Sequence, residues 1–411
     1  MYILKKFHKD KFERFNLIID SINSHLTTNI NLIGSSTLPI PEVCRAISMP
    51  GSAIRVEGHL NARYFPGTFP IDEAEKLAIE GVRNIFGLDS SYSVSVQPHS
   101  ATQANHAVWN AFLCSGNTVC GLSTVDGGHI SHILGLPDKV DFIPFPIQNN
   151  QINYEELSIL LKNKRPVMVI AGASSYPIAL NFPKLGSLCK ELNIHLHADI
   201  AHTAPYIASG IHPNVIPYAD TITIDTGKNL RGPKGGILIY RTVDQKRIQH
   251  SIFPVTQSSP NQSAILAKAA LFEYWTPYSL KEFSKKLIET AKNLENALKS
   301  CGLNVVYQPT DSHLILLDVS PIGITGKEAE EKLEVIGILS NRNMIPNETL
   351  PPWIGSGLRI GTSVLTILGY EDEDLIKLAS IIGSALIDNE TKASSVDSLL
   401  EKYHSSTVTI S

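Results

Sequence analysis

The sequence predicts an α/β protein: a mostly parallel sheet with helices on both faces, followed by a smaller C-terminal α+β unit. Three observations lead there. Short, continuously apolar segments such as VMVIAGA, NIHLHAD and GILIY alternate with helical ones between about residues 71 and 241, the pattern of strands buried on both faces. Beyond GILIYRTVD the texture changes, and two long helical segments precede a shorter strand-and-helix unit. With 411 residues, 43% of them hydrophobic, the chain is long and apolar enough to bury two cores.

In chain order, residues 1–30 read as a helical arm, with Phe7, Phe12, Phe15, Leu17 and Ile18 loosely periodic, closed by the polar break Ser24–Asn29. Residues 31–278 form the expected large unit. Its helices are IDEAEKLAIEGVRNIF, QANHAVWNAFL, YEELSILLKN and LGSLCKELN; its strands are VSVQ, TVCGL, VDFIPFP, VMVIAGA, NIHLHAD, TITID and GILIY. A helix over Gln262–Trp275 leads into SLKEFSKKLIETAKNLENALKS, long and amphipathic enough to bridge two units. The small unit, 279–411, holds the strands NVVYQ and HLILLDV, the helix KEAEEKLEVI, a loop NMIPNETLPPWIGSGLRIGT and a closing helix near EDEDLIKLASIIGSALI, with a partly loose tail.

Lys and Arg number 35 against 39 Asp and Glu, a net charge of −4, and no long basic run favours nucleic acid. No stretch approaches the roughly 18 apolar residues of a membrane span, and MYILKKFHKDKFERF has charges where a signal peptide has its apolar core. The expected compartment is the cytoplasm. Five scattered cysteines, an odd number, support neither a disulfide framework nor a zinc cluster. A small-molecule enzyme is the class that remains.

TITIDTGKNLRGPKGGILIY ends a β-rich run at Lys228, at the carboxyl end of a strand where α/β sheets collect ligands. An amine held there can form a Schiff base with a carbonyl cofactor; the plain alternative is a solvated turn lysine. NIHLHAD ends in Asp199, which can pair with a pyridinium nitrogen, cap the following helix, or both. Ser100, Ala101 and Thr102 stand between a strand and a helix, where free N–H groups and hydroxyls bind phosphate, though serine there is also an ordinary cap. His129 in DGGHISH follows two glycines and can stack on an aromatic cofactor; His132 reads as structural, and no third ligand supports a metal site. Glu57, in RVEGHLNARYFPG, is a candidate acid/base group or a salt-bridge partner of a nearby arginine. Arg359, in GSGLRIGT, has the planar fork for a substrate carboxylate.

In this order, NLIGSS, VEGHLNARYFPG, VQPHSATQAN, DGGHISH, ADIAHTAP, TGKNLRGPKGG, the TD-S-HL of Thr310 to Leu314, TGKEAE and GSGLRIGT resemble the serine hydroxymethyltransferase family, fold-type-I enzymes dependent on pyridoxal 5′-phosphate (PLP). The likeness runs from about Asn31 to about Ile387. It implies Lys228 as the Schiff-base lysine, Asp199 as partner of the pyridine nitrogen and His129 stacked on the ring. It implies Ser100, Ala101 and Thr102 around the phosphate, Ser174, His202 and Thr226 as further cofactor neighbours, and Ser35 and Arg359 on the substrate. Glu57 matches an acid/base glutamate given across a subunit interface, so the implied assembly is a homodimer with shared sites.

The sequence also departs from that pattern. Arg55 and Phe65 replace tyrosines flanking the glutamate, Asp225 and Gly227 replace a hydroxyl and an imidazole before the lysine, Val255 and Thr256 replace a glycine pair, and Lys234 replaces an arginine. Arg55 and Lys234 are candidates for the cofactor's phosphate side. For tetrahydrofolate the match is mixed: Asn347 and Glu57 agree with the family, Phe65 and Thr124 do not. The clustering of changes leads to the expectation of a specialised aldolase or transaldolase that makes or breaks the Cα–Cβ bond of a β-hydroxy-α-amino acid. The alternatives are an ordinary tetrahydrofolate-dependent serine hydroxymethyltransferase and a weakly catalytic PLP-binding paralogue with a regulatory role.

Overall fold

A computed structural model describes residues 12–390 and 392–404; Phe7 and the start of the expected arm, like the tail after His404, lie outside the described residues. The helix that follows, Glu13–Thr28 (α1), buries none of its residues, and Phe12, Phe15, Ile18 and Ile22 around it are more than half exposed.

The apolar segments form one seven-stranded sheet from Tyr92–Ser95 (β1), Thr118–Gly121 (β2), Asp141–Pro144 (β3), Met168–Gly172 (β4), His195–Asp199 (β5), Thr221–Asp225 (β6) and Gly236–Arg241 (β7). Their order is β1-β7-β6-β5-β4-β2-β3. Neighbours pair in parallel except that β7 runs against both β6 and β1. Every residue of β4 is buried, which explains its unbroken apolar run: helices cover both faces, so no position alternates toward water.

Phe69–Phe86 (α2) has Pro70 in its first turn and ends on left-handed Gly87. Ala101–Phe112 (α3) is capped by Ser100, whose side chain accepts from the Gln103 N–H. Gln262–Tyr274 (α4) precedes Pro277–Ser300 (α5), which opens with a reciprocal cap between Thr276 and Ser279. Leu280 of α5 packs in the core under the large sheet, whereas Leu294 and Leu298 belong to a second core.

That second core lies on a four-stranded antiparallel sheet of Asn304–Val305 (β8), Leu314–Asp318 (β9), Asn341–Asn343 (β10) and Gly357–Gly361 (β11), in the order β8-β9-β11-β10. The segment expected as one loop, from Asn343 to Thr362, therefore contains the strand β11 and begins on the last residue of β10. Glycines at both ends of GLRIG hide a period of two: Leu358 and Ile360 are fully buried, and Arg359 between them faces the other way. Part of the tail, expected to be partly loose, forms a helix. Asp397–Tyr403 (α6) is helical because Leu399 and Tyr403 reach the second core, where the Tyr403 ring stacks on Tyr370 with centroids 3.9 Å apart. Among the described residues no helix is long and apolar enough to cross a membrane.

Candidate active site

A cavity of about 690 Å³ opens beyond the carboxyl ends of β4, β5 and β6 and is closed from the other side by Arg359 on β11. Ser100 caps α3 at its wall with Oγ 3.1 Å from the Gln103 nitrogen. The N–H groups of Ala101 and Thr102 lie in the first turn, where a helix has no internal acceptors, and both residues line the cavity. The loop below is fixed by Lys268 on α4. This buried ammonium donates to the carbonyls of Val96 (2.5 Å), Pro98 (3.2 Å) and Gly236 (2.8 Å).

Asp199 ends β5 with both oxygens engaged. Oδ2 accepts from His132 Nε2 at 2.9 Å and Asn105 Nδ2 at 2.8 Å, and Oδ1 accepts from the Ala201 N–H at 3.0 Å. Burial alone would raise its pKa, but the bonds from His132 and Asn105 and the charge of Lys228 outweigh it, so the carboxyl lies well below its ordinary range. Cap and charge site coexist in this one residue.

His129 follows Gly128 on the cavity wall, with its Nδ1 2.7 Å from Ser131 Oγ. Burial pushes its pKa down to about 4, so the ring is neutral at neutral pH. His202 lies beside it on the wall, stacked on His313 with centroids 5.6 Å apart, and its pKa is also lowered by burial. His313 reaches Gly34 O at 2.9 Å and Asn229 Nδ2 at 2.9 Å, joining the N-terminal segment to both sheets.

Lys228 stands just past β6, its Nζ 3.8 Å from Asp225 Oδ2. Burial lowers its pKa, against the raising influence of Asp225 and Asp199. Arg359 donates from Nη1 to Ser174 O at 2.8 Å and from Nε to Asn341 Oδ1 at 3.1 Å. Burial opposes its charge, but a guanidinium stays protonated, so it holds a cation at the wall. Ser35, Ser174, Lys234 and Thr124 complete the same cavity.

Five of the residues that the resemblance places at the site are elsewhere, Asn347 among them. Thr226 is fully buried and donates from Oγ1 to Pro233 O at 2.6 Å, so its hydroxyl is used inside the loop. Arg55, Glu57 and Phe65 do not line the cavity of their own chain. Among the described residues Glu57 has no arginine partner; Ser259 Oγ donates to it at 3.2 Å, and Arg63 instead binds Asp72 at 2.8 Å and Glu75. Asn105, Asn229, His313 and Asn341 were missed as supports for the site, and His132 was read as structural alone.

An amine, an anchored carboxylate, a neutral imidazole and a helix N-terminus around one cavity are a donor set that fits a phosphorylated pyridine aldehyde, and the buried Asp199 anion has the charge its ring nitrogen requires. The family model described as serine hydroxymethyltransferase matches residues 9–382. The chain belongs to the serine hydroxymethyltransferase family. A protein of Coprothermobacter proteolyticus named serine hydroxymethyltransferase is 37% identical over 386 residues, 91% of this chain and 92% of its own length. One of the same name from Francisella tularensis subsp. novicida is 36% identical over 417 aligned residues, 97% of each chain. As a serine hydroxymethyltransferase-family protein, the chain is a fold-type-I transferase dependent on PLP.

Proposed function

We propose that the protein interconverts serine and glycine, passing the hydroxymethyl carbon to and from tetrahydrofolate. The reading rests on the convergence of Lys228, Asp199 and Arg359 on one cavity in a chain that resembles two serine hydroxymethyltransferases over nearly its whole length. PLP, when bound, supplies an electron sink for the bond that breaks at the amino acid Cα. In this reading Lys228 Nζ holds the cofactor's aldehyde carbon, Asp199 its ring nitrogen, and His129 its ring face. The N–H groups of Ala101 and Thr102 hold the phosphate with Ser100, and Lys234 adds charge. Arg359 takes the substrate carboxylate with its remaining donors, while Ser35, Ser174 and His202 line the substrate side.

Glu57, with Arg55 and Phe65, serves the cavity of a second copy in this proposal, since none of the three lines its own. The exposed apolar side chains of α1 supply a surface for that copy. A second reading, a specialised aldolase, is favoured by one feature: an aspartate at 225, beside the reacting lysine, where the resembled pattern has a hydroxyl.

The deciding experiment follows glycine formation from serine with and without tetrahydrofolate. We expect glycine to form at least about tenfold faster with the folate, and Lys228→Ala to abolish it. Folate-independent cleavage of a bulkier β-hydroxy amino acid, with serine untouched, would replace this reading by the aldolase. Mixing Lys228→Ala with Glu57→Gln chains should restore part of the activity if sites are shared; no recovery overturns the shared site.

A further inference from the structure

Asp225 is the last residue of β6, and its two carboxylate oxygens are divided between two tasks. Oδ1 accepts from the Gly227 N–H at 2.9 Å, which fixes the side chain across the turn. Oδ2 then lies 3.8 Å from Lys228 Nζ, and both residues line the main cavity. Glycine lets the turn lie close to the loop behind it: a Cβ at 227 would stand 3.0 Å from Lys234 Cα and 3.3 Å from Pro233 O, so that loop would have to give by a few tenths of an ångström. Aspartate, glycine and lysine thus form one local device, with one oxygen tied to the backbone and the other turned to the amine.

The surroundings leave Asp225 as the carboxylate with capacity for that amine. Asp199 also attracts Lys228, but its oxygens already receive His132, Asn105 and the Ala201 N–H. Arg359, from β11, repels the ammonium, and His129 and His202, on the cavity wall, are held neutral by burial. Asp225 itself faces Lys228, the anionic Asp199 and, from α4, Lys268; Lys234 lines the same cavity.

We propose that Asp225 is the counter-ion that sets the charge of Lys228, a positioning role particular to this chain's Asp-Thr-Gly-Lys turn. A neutral Nζ is nucleophilic and an ammonium is not. When an incoming amino acid displaces Lys228 from the cofactor, the proton that its ammonium sheds would pass to the departing Nζ, and the lysine would be held as an ammonium beside Asp225, where it cannot attack. It regains nucleophilicity when that proton passes from Nζ to Oδ2 or to water. Burial works against both charges of the pair, and the attraction across 3.8 Å works for them, so removal of the carboxylate shifts Lys228 toward the neutral amine.

The proposal rests on Lys228 being the cofactor lysine, and the test separates the two. Lys228 in the full-length, cofactor-stripped protein is labelled with limiting acetic anhydride from about pH 6 to pH 11, and its labelling midpoint is read by mass spectrometry against exposed Lys76. In Asp225→Asn the midpoint should fall by about one pH unit or more, so labelling at low pH is about tenfold faster, with Lys76 unchanged. Asp225→Ser, which keeps a short acceptor for the Gly227 N–H, should behave alike and covers a folding failure of the first variant. A midpoint within about 0.3 units of the parent in the folded variants overturns the counter-ion. Borohydride reduction after PLP addition checks the other half: no cofactor mass on Lys228 would sink the assignment of that lysine and leave the labelling result standing.

Discussion

Asp199 keeps its charge at 8% exposure because donors from three places meet it: His132 on the loop after β2, Asn105 on α3 and the backbone at Ala201. A carboxylate so placed is costly without them, and each charge-assisted bond contributes about 1.5–3 kcal/mol. His132→Leu should therefore weaken PLP binding about tenfold, read as the Kd for the cofactor from quenching of protein fluorescence, whereas an exposed change away from the cavity such as Ile159→Leu should leave it unaltered. An unchanged Kd would show that Asn105 and the backbone suffice. His132 was visible in DGGHISH, but its role was not, since its partner is 67 residues away and only the fold brings them together. Lys228, Asp199 and Arg359 were legible as candidates because each lies in, at the end of or just past a strand of the α/β pattern. Glu57 was legible as a candidate only; sequence offered an arginine partner that the fold gives to Asp72 and Glu75 instead.

At the scale of elements, the turn before α3 depends on the single amine of Lys268. It joins the carbonyls beyond β1 to the first carbonyl of β7, and the Gly236 N–H adds a bond to Pro98 O at 3.0 Å. Lys268→Met preserves the volume but leaves three buried acceptors without a donor. We expect a loss of about 3 kcal/mol or more in urea unfolding, together with faster PLP dissociation because the N-terminus of α3 loses its footing. Lys268→Arg should restore less than full stability, since a planar fork does not match three acceptors around a point charge. A Met variant as stable as the parent would remove the clamp from the account. The large-sheet strands were legible from their unbroken apolar runs; β11 was not, since three side chains between glycines are too few to announce a strand until β9 and β10 flank them.

At the scale of the molecule, several buried histidines are kept neutral by the fold. Burial pushes His129 and His195 down to about 4, His197 and His313 to about 3, and His202 well below its ordinary value. In the unfolded chain each titrates near about 6.5. Below that pH the unfolded state binds protons that the native state refuses, so stability is full above it and falls on acidification toward pH 4, by up to about 1.4 kcal/mol per unit for each group. The Tm should thus drop clearly between pH 7 and pH 5; an unchanged Tm would mean that these rings charge in place. Finally, α5 is one unbroken helix whose first turns belong to one core and whose last turns belong to the other. Neither half can melt without fraying a rod that the other half is holding straight. Heat or denaturant should therefore meet one cooperative block, and a protease acting on the native protein will release no stable large-sheet fragment by cutting near its middle.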